Sequence, residues 1–278
     1  MAEQKSFKTR VKEEAIRCAR IYKDQFVDYD YLLCSEAFSQ SDYYIIQSHE
    51  DNYRHLTGVA TEISADEFFG KCLDGTLTES DFSFSKPNQS EAQTKGAVRD
   101  KIRVLPDIGC LFSPTSVVEE GFKQNSIKCV FAAEGGTFTL GFICKPNSKP
   151  MTLLRGQKLD ESRSAAMELV LRRPRGSKKF DNIIVGGSDS LKKYSGKLQN
   201  LLSDELLKEL QNSVEEEDNP QNTTETDKTT CSGITSIEQA KKELLIELVQ
   251  QNALSIDTAA EKLGLSVDQF QEQLIKET

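Results

Sequence analysis

The stretch that most limits what this chain can fold into is residues 127–154. Three apolar runs, 127–133, 137–143 and 151–154, are separated only by Glu134-Gly135-Gly136 and by the Lys-Pro-Asn-Ser-Lys-Pro segment 145–150. Connections this short cannot hold a crossover helix, so they return the chain antiparallel to itself. The expectation is an antiparallel meander. Residues 137–143 form its central strand, paired with 127–133 on one side and with the strand before Arg155 on the other.

Helical and extended segments alternate around this meander. Phe7, Val11, Ala15, Cys18 and Tyr22 recur at helical spacing and define one apolar face of an N-terminal helix. Two short runs, 31–34 and 43–46, read as strands across a Ser/Gln/Asp turn. Ser64 starts a helix with Phe68, Phe69 and Cys72 inward, ended by Asp74-Gly75. Another helix runs from near Ser90 to Leu105, where Pro106 stops it. A hairpin pairs 167–171 with 182–185 around a basic loop. A helix follows over 191–202, and Ser203 starts one more that ends before residue 213. The fold class expected is α+β with N-terminal helices and an antiparallel sheet, plus a small all-helical C-terminal tail.

Charge divides the chain into parts. Residues 1–200 hold 29 basic and 27 acidic side chains, while 201–278 hold 6 basic and 17 acidic, so the net negative charge of the protein comes entirely from its C-terminal part. The domains expected are 1–212 as an α+β unit, 213–233 as an acidic, polar linker without apolar periodicity, and 234–278 as a helical module. In the last of these, Ser255 to Phe270 has the Gly-turn pattern of a helix-turn-helix. Its second helix offers Asp268, Gln269, Gln271, Glu272 and Gln273 instead of a basic surface, which favours a protein partner or dimerisation over DNA.

No run approaches the apolar length that crosses a bilayer, and the first twenty residues are charged and helix-periodic instead of signal-like, so a cytoplasmic protein with no membrane role is expected. The cysteines at 18, 34, 72, 110, 129, 144 and 231 form no C-x-x-C pair, and the chain has only two histidines. Reduced, structural thiols and no metal site or cofactor are the expectation. The P-loop, the dinucleotide glycine fingerprint, the nucleophile elbow and the metalloprotease histidine pair are all absent.

Chemistry concentrates in residues 49–59, which follow a strand and hold His49, Tyr53, Arg54, His55 and Thr57. Cleavage of RNA through its 2′-hydroxyl needs a base, an acid and cations around the non-bridging phosphate oxygens. Histidine titrates where such proton transfer is useful, and arginine forks onto phosphate. A polar cap after a strand, with His55 structural, uses the same residues. Lys95, Lys101 and Arg103 lie along one helix, which suits a phosphate or a solvated face equally. Thr152 and Arg155 stand three residues apart at a strand end. The basic loop with Arg172, Arg173 and Arg175 suits a phosphate backbone, and so does an ordinary hairpin tip.

The segment from about Tyr43 to Arg155 resembles the phage-associated barnase–EndoU–colicin–RelE-like nuclease domains. The resemblance rests on Asn52-Tyr53-Arg54-His55-Leu56-Thr57-Gly58-Val59 after a strand, the Phe-rich helix at 66–73, Ser83-Phe84-Ser85-Lys86, Thr94-Lys95, and the meander ending at 150–154. It implies a curved antiparallel sheet and a predicted role as a phage or mobile-element RNase or toxin. On this reading the protein is a metal-independent endoribonuclease. His55 is general acid or base, Arg54 and Lys95 stabilise phosphate, and Thr57 and Thr152 bond to the scissile group. His49, Lys101, Arg155, Arg172, Arg173 and Arg175 bind the RNA. A catalytically silent protein that binds a host or defence protein is the alternative.

Overall fold

A computed structural model of the chain describes residues 5–144 and 146–215. The first helix, α1 (Phe7–Tyr22), begins where the Ser6 hydroxyl accepts the Thr9 amide at 3.0 Å, and it continues as a π-helical turn, Lys23–Val27. There follow strands β1 (Tyr29–Cys34) and β2 (Tyr44–Gln47), then helices α2 (Asn52–Thr57), α3 (Ala65–Leu73) and α4 (Glu91–Val104). Strands β3 (Val117–Glu120), β4 (Lys123–Gln124), β5 (Ile127–Lys128), β6 (Phe131–Glu134), β7 (Phe138–Cys144) and β8 (Ser148–Arg155) come next. The described chain closes with β9 (Ser164–Ala166), β10 (Leu169–Pro174), β11 (Asn182–Val185), α5 (Ser188–Leu198) and α6 (Asp204–Glu215).

Nine strands form one curled, half-barrel sheet in the order β11-β10-β1-β2-β8-β7-β6-β3-β9. Every pairing is antiparallel except β2 with β8, where Ile46 meets Ser148. The α+β class and the curved sheet are therefore those expected. The meander is present too: β7 is flanked by β6 and β8, with Leu140 opposite Ala133 and Leu153.

Helices α1, α3 and α4 cover one face of the sheet. Val11, Cys18, Tyr22, Phe68, Phe69 and Val98 pack there with Leu33, Ile46, Phe131, Leu140 and Leu153. Each such side chain, once fully buried, contributes roughly 1.5–3 kcal/mol. Helices α5 and α6 cover part of the other face, over Leu32, Cys34, Leu169 and Leu171. Strand β1 is thus sandwiched, and its nearly unbroken apolar run, Tyr31-Leu32-Leu33-Cys34, follows from burial on both sides. Two buried carboxylates secure the long loop before β9. Glu134 accepts the Leu159 amide and Glu119 accepts the Asp160 amide, both at 2.8 Å.

Several boundaries differ from the expectation. The run 127–133 divides, because Ile127 and Lys128 pair with Gln124 and Lys123 about a turn in which Asn125 takes φ +52°, leaving Phe131–Glu134 to the large sheet. Strand β8 starts at Ser148, three residues before the expected 151, and β3 and β9 arise from stretches with no clear strand pattern. The helix expected over 191–202 stops at Leu198, and Leu202 bridges to Phe180 instead. Helix α6 passes residue 212 and ends at Glu215, since nothing in Asn212–Glu215 breaks a helix. The remainder of the linker and the helical tail at 234–278 lie outside the described residues. No helix among the described residues is long and apolar enough to cross a membrane.

Candidate functional site

Most residues of the 52–58 signature are used to build a small helix. Asn52 accepts the His49 amide on its side-chain oxygen at 2.9 Å and is buried. Tyr53 is fully buried against Tyr22, Phe68 and Phe69, and its hydroxyl donates to the Ala15 carbonyl at 2.6 Å. Tyr22 in turn donates to the His49 carbonyl at 2.9 Å, so both tyrosines tie the start of α2 to α1. Leu56 enters the core, and the Thr57 hydroxyl donates to the Arg54 carbonyl at 2.8 Å. Gly58 closes the helix with φ +76°, its amide on the same carbonyl at 3.1 Å. What remains outside this scaffold is Arg54, half-buried, and His55, exposed.

Cations from two other segments converge on that outer turn. Lys101 reaches across from α4 and donates to the His55 carbonyl at 2.7 Å, satisfying one of the free carbonyls of the helix end. Its stem crosses Gly58 so closely that a β-carbon there would stand 2.7 Å from Lys101 Cδ and 3.7 Å from Val98 Cγ2. The glycine is needed twice, for its left-handed backbone and for the lysine lying on it. Lys86 arrives on the segment held by the antiparallel bridge between Ala60 and Ser83.

The electrostatics follow from this crowding. Although the residue as a whole is exposed, partial burial of the His55 imidazole lowers it below the ordinary histidine range, and the charges of Arg54 and Lys101, with a smaller one from Lys86, lower it further against the opposite pull of Asp51. Burial, with Lys86 nearby, pushes Lys101 down to about 8. Lys86 is lowered by burial and by Arg54. On the same turn, Arg54 Nε and Asp51 Oδ1 are buried without a hydrogen-bond partner. A buried donor left unpaired is costly unless something polar arrives to accept from it. The ensemble is a neutral imidazole among cations, able to take a proton while a phosphate is held.

The other expected residues lie elsewhere. The Thr57 hydroxyl is committed within α2 and the residue is fully buried. Thr152 sits beside Gly141 and Cys129, on the face of β8 opposite Leu153, and so on the far side of the sheet from the helix-facing core. Lys95 pairs with Glu91 at 2.6 Å and lies over the Phe84 ring. Arg155 meets Asp100 at 3.4 Å. His49 lines a cleft with Glu50, Asp51, Asp66 and Arg175.

The basic hairpin residues hold the fold. Arg175 pairs with buried Asp30 at 2.8 Å and donates to the Val27, Phe26 and Ser48 carbonyls. Arg173 takes the other Asp30 oxygen at 3.1 Å and stacks on Phe180, and Arg172 stacks on Tyr29. Lys86 is the member of the cluster that sequence reasoning left without a role. Its position depends on the nonlocal Ala60–Ser83 bridge, which no local pattern announces. Among the described residues no three His, Cys, Asp or Glu side chains gather in a way that could hold a metal ion.

Residues 16–142 match a protein-family model described as phage-Barnase-EndoU-ColicinE5/D-RelE like nuclease4. The matched segment contains Arg54, His55, Lys86 and Lys101, and it ends before Thr152, Arg155 and the basic hairpin. No curated protein and no solved structure matches the chain.

Proposed function

With residues 16–142 matching a phage nuclease-like family model, we propose that the protein is a metal-independent endoribonuclease whose centre is the outer turn of α2. The observation that carries this reading is the exposed His55, its proton affinity lowered among Arg54, Lys86 and Lys101, beside a buried and unpaired Arg54 Nε. In this mechanism the neutral His55 imidazole removes the proton of a 2′-hydroxyl. The freed O2′ attacks the adjacent phosphorus, and the bond from phosphorus to the departing 5′-oxygen breaks. Lys101, poised near neutrality, returns a proton to that oxygen, leaving a 2′,3′-cyclic phosphate and a 5′-hydroxyl. Arg54 and Lys86 neutralise the non-bridging oxygens as charge builds there. RNA is the substrate this chemistry selects, since the nucleophile is part of the substrate and no activated water is required. Release of such an activity inside a cell is toxic, which suits a phage or mobile-element protein.

The test is cleavage of a labelled RNA by purified protein in excess chelator, with wild type and His55→Ala side by side. Cyclic-phosphate ends, no cleavage of the matching DNA, and a fall of about 10²–10⁴-fold in the variant are expected. The variant should melt with wild type, because the side chain is exposed. Absence of RNA cleavage by the wild type, or full activity in the variant, overturns the reading in favour of a silent interaction protein.

A further inference from the structure

Helix α4 has a second chemical flank. Lys101 leaves it toward α2, whereas Arg99 and Arg103 leave it toward α1, where a groove of about 350 Å³ runs between the two helices. Val11, Ile102 and Pro106 line it, together with Phe7, Arg10 and Arg17. Two carboxylates also line it, and both are already engaged: Glu14 with Arg17 at 2.6 Å, and Glu13 with Lys5 at 2.7 Å. Arg10, Arg99 and Arg103 are exposed, and among the described residues none of the three has a carboxylate partner. Arg10 and Arg99 instead bracket the partly exposed Phe7 ring, at 5.9 and 5.1 Å from its centre.

Three unpaired guanidinium groups held around one groove repel each other, and a polyanion relieves that repulsion. An unpaired base can stack on the Phe7 ring by displacing the Arg10 guanidinium, the more distant of the two from its centre, onto a phosphate. Cationic track plus aromatic face is the combination that single strands use and duplexes, with their bases already stacked, do not. We infer that the α1/α4 groove binds a single-stranded RNA segment, with phosphates on Arg10, Arg99 and Arg103 and a base against Phe7. Helix α4 is about 10–12 Å across with its side chains, so a few nucleotides passing over it join this groove to the His55 turn. The identity of the strand as substrate rests on the nuclease reading. Its binding does not.

The experiment measures anisotropy of a fluorescein-labelled 20-nucleotide RNA, 2′-O-methylated so that it cannot be cut, over a series of salt concentrations. Arg99→Ala/Arg103→Ala is expected to bind about tenfold or more weakly, with the salt dependence shallower by about 1.4 for two lost contacts on a single strand. Duplex RNA of equal length should compete at least tenfold less well than the single strand. The double variant should still cleave a dinucleotide, too short to reach the groove, at the wild-type rate. Unchanged affinity and salt slope in the double variant overturn the inference, as does equal competition by duplex. If wild type cleaves and the double variant binds normally, the groove is wrong and the nuclease reading stands. If the double variant loses binding while wild type cleaves nothing, the groove stands and the nuclease reading falls.

Discussion

Replacing Lys101 by Met separates a lysine kept for chemistry from one kept for structure. Met preserves the unbranched stem that lies on Gly58 and removes only the ammonium group. Burial pushes that ammonium from the ordinary lysine value of 10.5 down to about 8. At about 1.4 kcal/mol per tenfold change in proton affinity, the charged form is disfavoured in the fold by roughly 3 kcal/mol. Partial contact with water reduces this to about 1–2 kcal/mol. Against it stands the lost bond to the His55 carbonyl, about 0.5–1 kcal/mol where water can replace it. Lys101→Met should therefore gain up to about 1 kcal/mol near neutral pH, raising the melting temperature by about 1–4 °C, while RNA cleavage falls about 10²–10⁴-fold. The gain should vanish with rising pH. Between about pH 8 and 10 the unfolded chain holds the lysine proton and the folded chain does not, so wild-type stability climbs across that window and the variant's does not. Melting curves at pH 7 and pH 10, with initial cleavage rates at pH 7, decide the matter. A variant that melts several degrees lower at pH 7, with activity falling only as far as its folded fraction, would refute the assignment.

The pH profile of wild-type cleavage should be a bell, its acid limb lying below the ordinary histidine range as His55 gains a proton and its alkaline limb at about 8 as Lys101 loses one; a profile with no alkaline fall up to about pH 9 contradicts the pair. Gly58→Ala forces a side chain into left-handed backbone and onto Lys101, so a loss of about 1–3 kcal/mol by denaturant titration and weaker cleavage at pH 7 are expected. Thr152→Val, on the far face of the sheet, should leave cleavage within about twofold of wild type, and a hundredfold loss would return Thr152 to the site. Arg175→Ala removes one of the two arginines on the buried Asp30 carboxylate, which keeps Arg173, and should cost about 1–3 kcal/mol by chemical denaturation, with activity lost only through unfolding.

Residue pattern alone determined the local elements. The apolar face of α1, the Ser64 and Ser90 starts and the Pro106 stop are written in consecutive residues, because capping and helical spacing act within a few positions. The two short turns likewise required β6, β7 and β8 to lie side by side. The signature 52–58 was recognisable as a unit with His55 as its acid–base candidate, since the tyrosine, threonine and glycine that build the turn are close neighbours in the chain. Tertiary structure decided the rest. Whether a lysine serves His55 depends on which flank of α4 meets α2. That flank carries Lys101, while Lys95 is held by Glu91 and Phe84. Lys86 joins only through a bridge between residues 60 and 83. Thr152 is turned to the other face of the sheet by the alternation along β8, and Arg173 and Arg175 are engaged by Asp30, more than 140 positions away in the chain. Capping and periodicity are properties of neighbouring residues, whereas a cluster of charges is a property of distances between segments that only the packed core brings together.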